Sequence, residues 1–473
     1  MGSKLGNKIL AAFDEGHCCL FAPLEFYDFK DYLLAFIFYR YLSEKLQDYL
    51  DNELKEDKLT FQEAYEDEDY RYDLQDYSLE ELGYYIEPQF LFSAIAERST
   101  NREFILDKLL NAFDGISESI IDYDRQNAFT DIFEFVDLDS LKLGRSFDRR
   151  NELISRIINI LSYIDFESSN EEDETLGETF EYLVRFGVMD DKERGEFHTP
   201  PEVSKLIAKL VTINKNALRD VYDPICGPAS LLLKLGEEAR VSKFYGQELN
   251  QKFHDLACMN MLIHEVDSID FDIKQGDSLE NPMYFGKKFE AIVSDIPSSI
   301  KWSADWQFLK DERFVECGIL APKSKAEYAF LQHMLYHLED DGTMAVVWPY
   351  GSFSKSPKEK HIMKYLIEDK NFLDAVIKLP GNLFYETKRF KYVLIFKKSR
   401  LDNQDIFFID ASKDFKTIVQ RRKHVKNRLR DEDIERIVNT YANRDEIKEY
   451  SYKAHLDEIK ENNFILNAAR YVD

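Results

Sequence analysis

The sequence predicts an α/β protein, a seven-stranded, mostly parallel sheet with an N-terminal helical domain before it and a C-terminal helical tail after it. Three observations carry this. Short β-branched runs alternate with helical stretches from about residue 175 to about 400. The residues before that alternation show apolar positions at helical spacing. The residues after it are dense in Lys, Arg, Asp and Glu. The expected boundaries are 1–168, 169–400 and 401–473.

In chain order, Phe29–Lys45 is strongly apolar at helical spacing without Gly or Pro, and further amphipathic runs follow at Ile105–Phe113 and Leu153–Ile164. The acidic segment Phe166–Glu174 reads as a linker or exposed loop. A helix at Thr175–Phe186 then leads through Arg194-Gly-Glu-Phe-His-Thr-Pro-Pro201 into another, apolar from Val203 to Val211. The strand-like runs are Asp220–Tyr222, Phe244–Glu248, Phe271–Lys274, Ala291–Ser294, Met344–Trp348, Ala375–Leu379 and Tyr392–Phe396. Seven strands with helical crossovers imply a sheet covered on both faces. No internal repeat or low-complexity tract stands out.

Composition narrows the function classes. A length of 473 residues suits about three domains, and 44% hydrophobic residues allow ordinary cores. The absence of an apolar stretch near 18 residues and of a charged–apolar–small leader argues against a transmembrane or secreted protein. Cytosol is the expected compartment, with no membrane partner. Cys226, Cys258 and Cys317 lack the close pairing of a metal site, and adjacent Cys18-Cys19 suits no zinc spacing. The net charge of −27 repels DNA. Either a basic partner grips DNA, or local basic patches do, or DNA is not the ligand.

Two strand exits carry the chemistry. One strand ends at Asp223 and passes through a turn containing Gly227 into the helix Leu231–Ala239, a nucleotide-binding layout. The next strand ends at Glu248, near the roughly 20-residue spacing expected of an acid that binds ribose hydroxyls. Gly276-Asp277 follows the third strand, where a carboxylate could hold an adenine amino group. Acids at strand ends are ordinary in α/β proteins, so it is the combination that points to a nucleotide-type pocket. The second exit is Ser294-Asp-Ile-Pro-Ser-Ser-Ile-Lys-Trp302.

Many ordered segments resemble the modification (M) subunits of type I restriction–modification systems. They are the helical opening Tyr27–Leu50, Gly195–Pro200, Asp223–Leu233, Tyr245–Asn250, Gly276-Asp277, Lys301-Trp302, Leu320–Ser324, Leu379–Phe384 and Arg470–Asp473. The resemblance implies a methyltransferase (Rossmann-like) sheet, S-adenosyl-L-methionine as cofactor and adenine N6 in DNA as methyl acceptor. It also implies pairing of two M subunits around a separate specificity (S) subunit that reads double-stranded DNA, joined in some assemblies by a restriction (R) subunit. Cofactor binding is then expected of Glu196, Phe197, His198, Thr199, Pro200, Pro201, Asp223, Gly227, Pro228, Ala229, Ser230, Glu248 and Asp277. Catalysis falls to Asp295, Ile296, Pro297 and Ser298, at the places of the family's Asn-Pro-Pro-Phe/Tyr.

The departures fall where chemistry happens. His198 stands for a tyrosine, and Pro228-Ala229 for Ser-Gly. Proline fixes φ and removes a donor, and Ala229 adds a methyl where close approach is expected, so weakened or abolished cofactor binding is expected. Ile296 replaces the rigid first proline, and Ser298 offers no π face. Base–aromatic stacking is worth about 1–3 kcal/mol, or roughly 5- to 150-fold. The loops Ser352–Lys360 and Glu386–Lys391 gain Lys355, Lys358, Lys360, Lys388, Arg389 and Lys391, read either as solvated or as phosphate contacts. The basic run Gln420–Arg430 reads as an exposed helix face, or as a contact to DNA or an acidic partner. His264, His333 and His337 read as structural. Two functions follow: an impaired adenine N6-methyltransferase subunit, or a pseudo-methyltransferase acting as structural subunit or decoy for the specificity subunit. Damage in both motifs weighs against methyl transfer.

Overall fold

A computed structural model of the chain describes residues 3–14, 26–119, 128–166, 175–186, 198–351, 353, 356–400, 405–419 and 425–472. Expectations on Cys18-Cys19, Glu196, Phe197, Lys355, residues 167–174 and residues 420–424 lie outside these. The chain divides into two compact units, residues 1–187 with 251–272, and residues 188–250 with 273–473.

The first unit is helical. Its long helix Phe26–Glu53 is buried almost continuously from Phe29 to Leu42, as expected of a helix apolar on every side. Within it Arg40 is buried, donates from Nη1 to the carbonyls of Leu161 and Ile164, and lies 4.0 Å over the Phe166 ring. Residues 251–272 belong here despite their place in sequence. Tyr41 donates to the Leu262 carbonyl at 2.9 Å, and Lys252 pairs with Asp31 at 2.9 Å.

The second unit carries the sheet. Its strands are β1 (Ala217–Asp223), β2 (Arg240–Glu248), β3 (Phe271–Gln275), β4 (Phe289–Asp295), β5 (Leu338–Trp348), β6 (Leu373–Lys378), β7 (Tyr392–Lys397), β8 (Ile406–Asp410) and β11 (Ser451–Ala454). Their order is β11-β8-β6-β7-β5-β4-β1-β2-β3. All seven expected strands are present, and the sheet has nine. The supposed helical tail supplies β8, parallel to β6, and β11, antiparallel to β8. It also supplies a separate hairpin, β9 (Lys416–Val419) with β10 (Val425–Arg428). The described end of the basic run is therefore strand, a correction to the expected helix face. Charged residues on short edge strands mimic a solvated helix, which is why the tail reads as one.

β7 is antiparallel to both neighbours, so its first residues arrive at the edge where β4 and β5 end. Strand order reverses between β1 and β4, which pair in parallel. Ligands of open α/β sheets bind in the crevice beyond the strand ends at such a switch point. Asp223 and Asp295 are the last residues of those two strands. Among the described residues no helix is long and apolar enough to cross a membrane.

Candidate functional site

The turn after β1 is held through its backbone N–H groups. Asp223 is buried, and its Oδ1 accepts the Ile225 N–H at 2.9 Å. The Cys226 N–H donates to the Gln247 carbonyl at 3.2 Å, and the Gly227 N–H to Glu248 Oε2 at 3.0 Å. Gly227 has φ +52°, and a side chain there would meet nothing within 4 Å. That open face is the space a ligand would take.

Ala229 also adopts the left-handed region, at φ 62° and ψ 10°, and caps the helix Ser230–Glu238. It is fully buried, so its methyl packs into protein rather than into open space. The backbone thus reaches the left-handed region with the methyl in place. What remains is strain, about 1–2 kcal/mol for a left-handed non-glycine residue. Ala229→Gly is therefore expected to stabilise the protein by about 1 kcal/mol, after subtracting glycine's unfolded-state entropy, measured by urea unfolding.

Glu248 ends β2 and is buried, with Oε1 accepting the Asn250 N–H at 2.9 Å. The Gly276 N–H donates to the Glu248 carbonyl at 2.8 Å. Asp277 Oδ1 accepts the N–H groups of Leu279 and Glu280, and Ser278 Oγ donates to the Pro224 carbonyl at 2.6 Å. Three loops are thus laced into one rim.

Arg313 anchors that rim and was not singled out from sequence. Its guanidinium is buried and donates to the carbonyls of Ser278 (3.0 Å) and Leu279 (2.9 Å) and to both oxygens of Asp311. It also donates to His333 Nδ1 at 3.1 Å. Burial pushes His333 far below its usual pKa, so the ring is neutral and Nε2 carries the proton toward Tyr222 Oη at 3.1 Å. His337, lowered to about 4 by burial, bonds the Lys287 carbonyl through Nδ1, and His264 bonds the Asn260 carbonyl. All three rings hydrogen-bond within the protein.

At the end of β4 the Ile296 N–H continues the ladder to the Val347 carbonyl. Ile296 and Pro297 are buried, whereas Ser298 is exposed. The Trp302 indole donates to the Pro322 carbonyl at 3.1 Å, bringing together two segments distant in sequence. His198 is buried, Pro200 caps the helix Pro201–Val211, and Pro201 occupies its first turn. Between them Thr199 donates to Asp295 Oδ2 at 2.9 Å. The other carboxylate oxygen accepts from Lys391 Nζ at 3.1 Å.

Lys391 is only 5% exposed, a correction to its reading as a solvated or phosphate-contacting charge. It also pairs with Glu386 at 2.9 Å and lies 4.0 Å over the Phe384 ring. Burial works to lower its pKa, but the carboxylates of Asp295 and Glu386 outweigh this and raise it. Burial holds the Asp295 carboxyl above its usual range, with Lys391 opposing. Lys358, Lys360, Lys388 and Arg389 are exposed, and Arg389 lies 5.3 Å from the exposed Tyr350 ring.

Asp223 is pushed up to about 7, first by burial, with Glu248 and Asp295 adding to the rise. A carboxyl raised on folding contributes stability below its unfolded pKa, near 4, and loses it as pH rises through 7. Asp223→Asn keeps the acceptor for Ile225 and is expected to remove this loss, gaining up to about 4 kcal/mol at pH 8 and little at pH 4. Unfolding curves at the two pH values check this.

The described residues hold no cluster suited to a metal ion. A glycine turn closed by an acid at a switch point, and a polar residue ending β4, define the methyltransferase-fold class. The N-6 DNA Methylase family model matches residues 171–473, and the HsdM N-terminal domain matches residues 22–161. The chain belongs to this family, as an M subunit of the type I restriction–modification kind. The type I restriction enzyme MpnII methylase subunit of Mycoplasma pneumoniae is 33% identical, across 94% of this chain and 86% of that one. The MjaVII methylase subunit of Methanocaldococcus jannaschii is 28% identical, across 93% and 74%. The crystal structure of a type I methyltransferase subunit from Streptococcus thermophilus superposes with a TM-score of 0.89 at 34% identity, covering 99% of both chains. A structure solved for complex assembly in a type I system shares the fold, with a TM-score of 0.64 at 18% identity.

Proposed function

We propose that this M subunit retains a site for S-adenosyl-L-methionine but transfers methyl groups to adenine N6 poorly, and serves its complex chiefly as a structural, DNA-apposed component. The observation that carries this is the state of the catalytic loop. Both oxygens of Asp295 are engaged, by Thr199 and Lys391, and Ser298 supplies no ring for a base to stack on.

The cofactor fits the residues present. The open face of Gly227, the buried Ala229 and the carboxylates of Glu248 and Asp277 beside the strand exits support it. Asp223, Gly227, Pro228, Ala229 and Ser230 would line one side, Glu248 would hold the ribose, and Asp277 the adenine. The segment His198–Pro201, beside Asp295, would lie at the edge of the site. The cofactor, when bound, supplies an electrophilic methyl. This chain's residues would position the acceptor amine, with Asp295 and the Ile296 carbonyl accepting its protons' hydrogen bonds.

A net charge of −27 supports a partner for DNA grip, and the S subunit, a second M subunit and an R subunit are the partners proposed, in the cytoplasm. A fully active enzyme is the second reading, favoured by the preserved turn. Calorimetry with S-adenosyl-L-methionine should show binding, and the complex assembled with its S subunit should methylate DNA slowly. Ser298→Tyr should then raise the rate roughly 5- to 150-fold. Fast methylation by the unaltered chain, with no gain from the tyrosine, would overturn the reading.

A further inference from the structure

We propose that the ammonium of Lys391 occupies the position that Asp295 would otherwise offer to the exocyclic amine of a base, so that this side chain decides which amine the catalytic loop accepts. The inference rests on the functional reading above and supplies a cause for it.

The geometry is built rather than incidental. Lys391 immediately precedes β7, and its carbonyl accepts the Leu379 N–H at 3.0 Å, which holds the residue at the rim. Because β7 runs antiparallel to β5, this position is delivered next to the exit of β4. The ammonium then meets Asp295 Oδ1 at 3.1 Å, Glu386 at 2.9 Å and the Phe384 ring face. Thr199 takes the other Asp295 oxygen. An ammonium and an arylamine are both nitrogen donors of similar reach, but only one is charged. Charge-assisted hydrogen bonds are roughly twice as strong as neutral ones. A base amine would also have to leave Glu386 without its cation. The carboxylate therefore keeps its internal partner.

The test uses the full-length chain and 2′-deoxyadenosine as probe, followed by saturation-transfer NMR and calorimetry. Lys391→Thr combined with Asp295→Asn removes both charges together, so that no carboxylate is stranded at position 295; Glu386, at 22% side-chain exposure, keeps access to water. This double variant should bind the nucleoside at least roughly tenfold more tightly than the unaltered chain. Lys391→Arg, which keeps the charge, should behave like the unaltered chain. A folded double variant that binds deoxyadenosine no better overturns the proposal. So does tight binding by the unaltered chain. Loss of S-adenosyl-L-methionine binding by the unaltered chain would instead defeat the cofactor-site reading and leave this comparison readable. A second measurement needs no variant. Under acetic anhydride, Lys391 should be acetylated far more slowly than exposed Lys388, and equal rates would overturn the proposal.

Discussion

Lys391→Met is expected to destabilise the protein by about 3–5 kcal/mol at pH 8, the usual loss when one member of a buried ion pair is removed. Methionine keeps an unbranched side chain but removes the ammonium over Phe384 and strands Asp295, whose side chain is 11% exposed. The Asp295 carboxyl, already raised by burial, would lose the cation that opposes the rise. The sign of the pH effect follows. Protonation relieves a stranded carboxylate, so the penalty should shrink as pH falls through the raised pKa. Urea unfolding at pH 8 and pH 5 measures both. A loss below about 1 kcal/mol at pH 8 would mean that the pair behaves like a surface salt bridge.

Arg313→Met should cost about 3–5 kcal/mol, because it leaves two buried carbonyls, an imidazole nitrogen and the Asp311 carboxylate short of donors. Its effect should reach function as well. Ser278 and Leu279 flank the turn that aims Asp277, so S-adenosyl-L-methionine affinity should fall in the variant while the sheet survives. Thermal unfolding and calorimetry on one preparation separate the two effects. An unchanged ligand affinity would show that the Asp277 turn holds its shape without the guanidinium.

Sequence patterns made the central sheet legible because buried parallel strands leave apolar, β-branched runs that helices punctuate. Ile406–Asp410 is such a run, yet its charged surroundings disguised it, and Ser451–Ala454 is too short and polar to announce itself. The acids at strand ends were legible for the same positional reason, since Asp223, Glu248 and Asp295 close their strands. Partnerships were not. Lys391 lies far along the chain from Asp295, and nothing local separates a buried lysine from its exposed neighbours Lys388 and Arg389. A signal was available, because Phe390 and Tyr392 on either side are ring-bearing residues at a strand entrance. The direction of a methyl at Ala229 depends on φ, which sequence constrains only as a class of turn.

The placement of residues 251–272 within the helical unit has a consequence for inheritance. Lys252 and Leu262 answer to Asp31 and Tyr41, across a stretch that includes β1 and β2. A single recombination event between relatives inside that stretch would hand the offspring two halves of one helical body from different parents. Hybrids that trade this body intact therefore need two breakpoints more, one on either side of residues 251–272.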